Sequence, residues 1–304
     1  MSSPALSVVI PTRDRLGLLL RAVRSLAAAR RAGELEVLVV DDGSEKPLGA
    51  ALEEARGELD LSIHRQPPGG LNVARNAGIA RTSGSAIAFL DDDVRVAPGW
   101  AEGAIAAFAG PEPLAVAAGR TIADSERPLP PWIRGTKMLY ISVLDLGDEP
   151  MPLPEHYGPV GANLAVARDW VERVGGFRAG LDRSGRSLIS GGETELVRRI
   201  EAAGGRVRYW PAATVHHHIP AERLTRAWFR RRAEAQGTSD VRALYAGPPA
   251  ARELGVEIVR PLRAPAIAVK RLLSRGDPID AELWLWSTRG RWRELRRLMR
   301  ESRL

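Results

Sequence analysis

Three consecutive carboxylates are the residues in this chain most suited to chemistry. Asp91, Asp92 and Asp93 follow the apolar run 87–90, which is typical of a buried strand. Adjacent carboxylates repel one another and are costly to remove from water unless a cation neutralises them. Aspartate oxygens suit hard divalent ions such as Mg2+ and Mn2+, which commonly carry the phosphates of a substrate. The triplet alone leaves two interpretations open, a metal–diphosphate site and a solvated acidic turn.

Alternating strand and helix patterns precede the triplet. Residues 7–10 form a short apolar run, and apolar residues recur at three- and four-residue spacing over 16–27, which predicts an amphipathic helix. The apolar run 36–40 follows. Strand, helix and strand in this order predict a βαβ unit with two parallel strands.

Polar or turn-forming residues follow each of these strands. Pro11 and Thr12 follow the first strand, and Asp41 and Asp42 follow the second. Ligands of open α/β sheets bind outside the carboxyl ends of the strands, so we expect these residues and the aspartate triplet to lie at one edge. No Gly-x-Gly-x-x-Gly follows the first strand, so the dinucleotide-binding fingerprint is missing. The pattern favours a pocket for a nucleotide phosphate.

Four segments resemble, in order and spacing, the signatures of family 2 glycosyltransferases. They are Val-Val-Ile-Pro-Thr-Arg-Asp-Arg at 8–15, Val-Val-Asp-Asp-Gly-Ser at 39–44, Ala-Arg-Asn-Ala-Gly-Ile at 74–79 and Ala-Phe-Leu-Asp-Asp-Asp at 88–93. The resemblance implies a GT-A fold, an α/β architecture whose Rossmann-like, mostly parallel sheet is flanked by helices. It also implies transfer of a sugar from a nucleotide-sugar donor, usually with inversion, using Mg2+ or Mn2+ at an Asp-x-Asp motif.

The resemblance assigns roles by position. Asp93 would bind the metal, and Asp91 would assist while lying nearer the ribose or base. Asp41 or Asp42 would bind the base. The remaining donor-binding residues that the resemblance implies are Pro11, Thr12, Arg13, Arg75 and Asp92.

A later helix start carries a candidate general base. Glu193 shares one face of a predicted helix with apolar residues at 196, 197 and 200. A carboxylate at a helix N-terminus is stabilised in its charged form, and it could deprotonate an acceptor hydroxyl; the alternative role is helix capping. The family motif here is Gly-Glu-Asp-x-Glu-Leu, whose Asp is the base, but this chain has Gly192 and Glu193 where Glu and Asp are usual. We expect Glu193 to be the base, with Gly191, Gly192 and Asn163 on the acceptor side.

A strand is predicted at residues 206–210, and three successive histidines, 216–218, follow it at a strand end. The family often places a histidine here as an additional metal ligand. The alternation of an extended strand assigns that role to His217, with its neighbours on the opposite face. His218 is the reserve candidate.

Composition excludes several classes of protein. The 304 residues include no cysteine, which excludes disulfides, thiolate catalysis and cysteine-ligated zinc. The N-terminus shows no signal-peptide pattern, and the apolar runs are shorter than the ~20 residues of a membrane-spanning helix, so we expect a cytoplasmic protein. The net charge is +7, and residues 221–304 hold 19 Arg and Lys against 10 Asp and Glu. The basic character therefore belongs to the C-terminal part.

These patterns predict a catalytic domain at 1–220 and a basic helical C-terminal extension at 221–304. The domain would comprise a nucleotide-binding half, 1–95, and an acceptor-side half, 96–220, with the proline-rich stretch 124–160 over the acceptor. Tryptophan and arginine in the extension suit packing on the domain, or peripheral contact with an anionic membrane at its inner face. The acceptor, whether glycan, lipid-linked intermediate or small molecule, has no readable signature.

Two other functions fit the sequence less well. A nucleotidyltransferase on a related α/β fold would need a glycine- and lysine-rich loop after the first strand, and the turn at 11–14 offers none. A nucleic-acid-binding protein would spread basic residues over its binding face, whereas here they are concentrated in the extension. Single-sugar transfer is the favoured prediction, with no nucleic acid as partner.

Overall fold

The computed structural model forms two compact units. It describes residues 4–29, 35–109, 111–154, 156–182, 187–245, 257 and 279–301. The first unit comprises 1–126, 136–180 and 193–219, and the second comprises 127–135, 181–192 and 220–304.

Within the described residues of the first unit, eight strands form one sheet. They are β1 (Leu6–Thr12), β2 (Leu35–Asp41), β3 (Asp60–Arg65), β4 (Ala86–Leu90), β5 (Val94–Val96), β6 (Val116–Ser125), β7 (Asn163–Ala167) and β8 (Val207–Ile219). Their spatial order is β3-β2-β1-β4-β7-β6-β8-β5. The first four of these neighbours are parallel, as are β6 and β8, whereas β7 is antiparallel to both of its neighbours and β5 is antiparallel to β8. The predicted parallel arrangement thus holds for the N-terminal half, and the other half is mixed.

Helices of the first unit cover both faces of the sheet. They are α1 (Leu16–Ala28), α2 (Gly49–Ala55), α3 (Leu71–Arg81), α4 (Trp100–Ala106), α5 (Arg168–Arg173) and α6 (Gly192–Ala202), with a 3-10 helix at Gly135–Ile141. The described residues of the second unit form α7 (Arg226–Leu244), α8 (Ile279–Glu301) and a 3-10 helix at Ala221–Leu224. Alternate residues of β1 enter opposite layers of the core: Val8 and Ile10 join one apolar cluster, and Val9 joins the other. A side chain at Gly78 would collide with Val9, so glycine allows α3 to pack closely on β1.

The short strand β5 follows the aspartate triplet and was not predicted. It pairs with β8 so that Val94 lies opposite His217 and Arg95 lies opposite His216. Strand β8 is longer than predicted and continues through all three histidines. This pairing brings the chain after the triplet beside a segment more than a hundred residues later.

In the second unit, α7 and α8 run parallel and pack closely. Arg230 pairs with Glu282 and Arg242 pairs with Glu294, so residue numbers rise together along both helices. A side chain at Gly290 would collide with the backbone of α7, so the two backbones approach directly. Among the described residues, no helix combines the length and the apolar character needed to cross a membrane.

Candidate functional site

The carboxyl ends of three parallel strands meet at one edge of the sheet, as the sequence predicts. Thr12 at the end of β1 lies opposite Asp41 at the end of β2. The Thr12 hydroxyl donates a 2.7 Å hydrogen bond to Asp92 Oδ2, just beyond the end of β4. The structure therefore brings the first-strand turn, the second-strand aspartate and the aspartate triplet together.

Arg15 bridges two carboxylates of the triplet. Its guanidinium contacts Asp92 Oδ1 at 2.5 Å and Asp93 Oδ2 at 2.6 Å. Burial raises the pKa of Asp92 to about 7, although Arg15 opposes the change. Burial acts in the same direction on Asp93, but the neighbouring His217 and Arg15 side chains outweigh it and hold the pKa of Asp93 far below its usual range. The two adjacent carboxylates thus differ strongly in their affinity for a proton.

His217 is the histidine that faces the triplet. Its side chain is 2% exposed, and its Nε2 lies 3.3 Å from Asp93 Oδ1. His218 instead lies 3.4 Å from Glu126. The alternation of β8 therefore separates the two candidate ligands and places His217 beside Asp93.

The polar atoms of this pair fit a divalent cation. Asp93 Oδ1, which lies 3.3 Å from His217 Nε2, and the other ring nitrogen of that histidine, Nδ1, are both buried without a hydrogen-bond partner. Over the described parts of the chain, no three Asp, Glu or His side chains form a cage for a metal. Mg2+ is commonly held by one or two carboxylates together with substrate phosphates rather than by a complete protein cage. Asp93 and His217 would be a partial set of metal ligands of this kind, which a bound diphosphate would complete.

A buried arginine connects the triplet with the candidate base. Arg75, on α3, is 2% exposed, and its Nη2 lies 3.3 Å from Asp91 Oδ1 while its Nη1 lies 3.8 Å from Glu193 Oε2. Its Nη2 also donates to the Gly161 carbonyl oxygen at 3.2 Å, and its guanidinium lies over the Phe177 ring at 5.2 Å. Asp91 therefore faces Arg75, and Arg75 in turn faces Glu193.

Glu193 lies in the first turn of α6 with its side chain 19% exposed. The apolar residues that share its helical face are fully or almost fully buried: Leu196, Val197 and Ile200. Glu195 lies on another side of the helix and pairs with Arg199 at 2.7 Å. Gly191 and Gly192 belong to the second unit, where Gly191 has a φ of 110°.

Asp42 organises the loop after β3. Its Oδ1 accepts hydrogen bonds from Gln66 Nε2 and from the Gly69 backbone N–H, both at 2.8 Å, and its Oδ2 accepts one from the Gly70 N–H at 2.9 Å. Both oxygens are thus engaged inside the protein. Of the two aspartates proposed to bind the base, Asp42 therefore has a structural role here.

Asp41 keeps more of its hydrogen-bonding capacity. Its Oδ1 accepts the Ser44 backbone N–H at 2.8 Å. Its Oδ2 lies 3.8 Å from Arg65 Nε, and the Arg65 side chain is 48% exposed. Asp41 is accordingly the better candidate for a donor contact.

Asn163 was predicted to lie on the acceptor side, but the structure gives it a structural role. It is 3% exposed, and its Nδ2 donates to the carbonyl oxygens of Arg120 and Ala213 at 2.9 and 2.8 Å. Its Oδ1 accepts from Trp100 Nε1 at 3.2 Å. The amide therefore joins β7 to neighbouring elements and has no free polar group for an acceptor.

Arg15 is a site residue that the sequence motifs did not indicate. The resemblance drew attention to Arg13, whose side chain is 48% exposed and pairs with Asp14 at 3.7 Å. Arg15 occupies the N-cap position of α1, which directs it back toward the end of β4. Its place at the end of the β1–α1 turn, three residues after Thr12, is the one signal that the sequence offers.

Known proteins resemble this chain in sequence. The family model described as glycosyl transferase family 2 matches residues 7–175. A pre-mycofactocin glycosyltransferase of Mycobacterium tuberculosis is 32% identical over 240 residues, covering 77% of this chain and 46% of that protein. The succinoglycan biosynthesis protein ExoM of Rhizobium meliloti is 28% identical over 240 residues, covering 76% and 72%. The chain thus spans about half the length of the mycobacterial relative.

Solved structures share the fold at low identity. A mannosyltransferase of Pyrobaculum calidifontis, in complex with GDP-Man and Mn2+, has a TM-score of 0.65 and 17% identity, covering 97% of this chain and 88% of that one. GalNAc-T7 with UDP, GalNAc and Mn2+ has a TM-score of 0.55 and 20% identity, covering 79% and 51%. These similarities confirm the predicted GT-A fold. Because the family model matches more than half of the sequence, the chain belongs to glycosyl transferase family 2.

Proposed function

We propose that the chain transfers one sugar from a nucleoside-diphosphate-sugar to an acceptor hydroxyl, with inversion at the anomeric carbon. The observation that carries this proposal is the continuous arrangement of Asp91, Arg75 and Glu193. It connects the strand end expected to hold the donor with a carboxylate able to act on an acceptor. A single base is what a direct displacement requires.

The donor would bind at the edge formed by β1, β2 and β4. Asp93 and His217, with help from Asp91, would hold Mg2+ or Mn2+, which when bound neutralises charge on the leaving diphosphate. The names of two structures with this fold include Mn2+ and a nucleotide or nucleotide-sugar, which supports the proposal. Asp41 would contact the base, while Pro11 and Thr12 would line its pocket through their backbone.

Arg15 would add positive charge at the same edge. Its guanidinium contacts Asp92 and Asp93, and these two carboxylates would hold it in position beside the diphosphate of a bound donor. Preorganised charge of this kind stabilises charge that develops on a leaving group.

Glu193 would accept the proton of the acceptor hydroxyl. As that proton moves to the carboxylate, the hydroxyl oxygen bonds to the anomeric carbon from the side opposite the diphosphate. The bond between the anomeric carbon and the diphosphate oxygen breaks, and its electron pair leaves with the diphosphate. Arg75 would orient the Glu193 carboxylate for this step, and one displacement would invert the configuration.

Donor binding tests the first half of the proposal. A panel of nucleoside-diphosphate-sugars is screened by thermal shift with and without Mn2+. A donor present at 100 times its Kd adds about 2.7 kcal/mol of apparent stability, which raises Tm by about 4 °C for a protein of this size. We expect one donor class to do so only with the metal present. If no donor raises Tm with Mn2+, the proposed donor site is wrong.

Glu193→Gln tests the proposed base. We expect turnover to fall about 10²- to 10⁴-fold, with donor affinity unchanged, because the amide cannot accept the proton. Glu195→Gln is the matched control: it makes the same change on the same helix, where the side chain pairs with Arg199, and turnover should stay within a few-fold of wild type. Equal losses of donor affinity and turnover in Glu193→Gln would show that the residue holds the donor and is not the base. NMR of the anomeric proton of the product would report inversion directly.

A further inference from the structure

Four arginines form a stripe on the outer face of α8. Arg289, Arg293, Arg296 and Arg300 recur at spacings of four, three and four residues, so at 3.6 residues per turn they fall within about 60° of arc. All four are exposed, and the side chains of Arg289 and Arg293 are 68% and 62% exposed. We call these four residues the arginine stripe.

Acidic side chains neutralise only a small part of the stripe. Arg289 and Arg293 share one carboxylate, that of Glu234, at 3.5 and 2.8 Å. Arg296 and Arg300 have no ion pair with any residue that the structure describes. The sequence supplies no large acidic counterpart in the same unit, because residues 246–278 contain six Arg and Lys against three Asp and Glu. The stripe is therefore a row of mostly unneutralised positive charge that is available to an anionic partner.

Apolar side chains border the stripe on one side. By helical position, Leu285, Trp292 and Met299 follow one another along this border at seven-residue spacing. Leu285 is 53% exposed, and Trp292 and Met299 are half-buried. An exposed leucine beside a row of arginines is typical of a helix that lies in a lipid–water interface.

We propose that the arginine stripe binds the phosphate groups of an anionic phospholipid surface, with Leu285 and Trp292 entering the boundary between headgroups and acyl chains. A nucleic-acid backbone would use the arginines equally well but would gain nothing from the exposed leucine. A lipid surface uses both features of the helix. This proposal is independent of the glycosyl-transfer proposal, because neither the stripe nor its test involves the sugar donor.

The test is cosedimentation of the full-length chain with phospholipid vesicles. We expect binding to vesicles that contain phosphatidylglycerol, loss of binding to pure phosphatidylcholine, and weaker binding as salt screens the charges. One arginine near an anionic surface changes partitioning about fivefold, so Arg296→Gln/Arg300→Gln should weaken binding about 30-fold. The matched control is Arg24→Gln/Arg198→Gln, which removes the same charge from exposed arginines of the first unit and should leave binding unchanged.

A second variant separates the apolar contribution from the charge. Leu285→Ser should weaken binding to phosphatidylglycerol vesicles several-fold while leaving its dependence on salt unchanged. Because these side chains are exposed, all variants should keep the wild-type Tm. Equal vesicle binding by the stripe variant and the wild type would overturn the proposal. Stripe-dependent gel shift of a DNA duplex, without binding to the vesicles, would overturn it in favour of nucleic acid.

Discussion

Replacing Arg75 by methionine would remove the cation between the donor edge and the candidate base. Arg75 lies 3.3 Å from Asp91 and 3.8 Å from Glu193, and it is 2% exposed. Methionine keeps an unbranched apolar stem beside Phe177 but carries no charge. The carboxylates of Asp91 and Glu193 would then lose the positive charge that neutralises them.

The size of the effect follows from these distances and exposures. With an effective dielectric constant of about 20, the attractions at 3.3 and 3.8 Å are worth about 5 and about 4 kcal/mol. The cost of desolvating the guanidinium offsets several kcal/mol of this. The side chains of Asp91 and Glu193 are 27% and 19% exposed, so water would partly solvate both after the substitution. We therefore expect Arg75→Met to lower the free energy of unfolding by about 2–4 kcal/mol, below the upper range for fully buried pairs.

The kcat of the folded Arg75→Met variant should also fall, which a loss of stability by itself would not cause. A displacement of about 1 Å at a reacting group can cost about 10²-fold in rate, and Glu193 would lose the group that orients it. Urea unfolding gives the stability, and initial rates at saturating donor give kcat. Arg168→Met is the matched control: Arg168 donates to the Gly84 and Ile79 carbonyl oxygens at 2.6 and 3.0 Å. That variant should lose stability but keep kcat in the folded protein.

A double-mutant cycle tests the coupling itself. If Arg75 acts on Glu193, Arg75→Met and Glu193→Gln should be non-additive in stability by about 1–3 kcal/mol. Additive effects would refute the argument that the 3.8 Å contact joins them energetically. So would an Arg75→Met variant with wild-type kcat and a stability loss below about 1 kcal/mol.

Two further predictions concern other parts of the chain. Asp42→Ala should lower the free energy of unfolding by about 2 kcal/mol, because the loop after β3 loses its hydrogen bonds to a charged acceptor. Urea unfolding measures this, and Asp42→Asn, which keeps one carbonyl oxygen, should lose less. For Glu294, burial raises the pKa, but hydrogen bonds from Arg297 and Arg242 outweigh it and lower the pKa below its ordinary value of 4.5. The ionised Glu294 side chain therefore stabilises the protein above pH 4.5, and this contribution is lost as pH falls through the lowered pKa. Glu294→Gln should thus reduce the loss of stability on acidification, measured by urea unfolding at a series of pH values. An unchanged dependence of stability on pH would show that Glu294 does not make this contribution.

The first half of the fold could be predicted from the sequence because its signals are local. Strands buried on both faces appear as continuous apolar runs, and the helix after β1 has clear three- and four-residue spacing. The carboxyl ends of parallel strands must share an edge, so the meeting of Thr12, Asp41 and the aspartate triplet followed from topology alone. The strand alternation that separates His217 from His218 was predicted in the same way.

The parts that the sequence did not predict depend on long-range contacts. Strand β5 has only three residues, and its pairing with β8 more than a hundred residues later leaves no periodic signal. Asn163 was assigned to the acceptor side by its motif, but its hydrogen bonds go to backbone groups 43 and 50 residues away. Arg15 and Asp92 are 77 residues apart. Which side chains meet across such distances in the sequence depends on how the elements pack, and a short motif carries no information about that packing.

Position 193 holds a glutamate where the motif that this segment resembles has an aspartate, and the longer side chain is consistent with the geometry around Arg75. The Gly161 carbonyl accepts from the guanidinium, and a side chain at Gly161 would collide with that guanidinium, so the arginine is held on one side by backbone. The carboxylate on the other side must reach it from α6. A glutamate extends about 1.5 Å further along its chain than an aspartate, and here that reach ends 3.8 Å from Arg75. The longer side chain at position 193 therefore keeps a charged contact at this place in the site, where a shorter one on the same backbone would leave a gap.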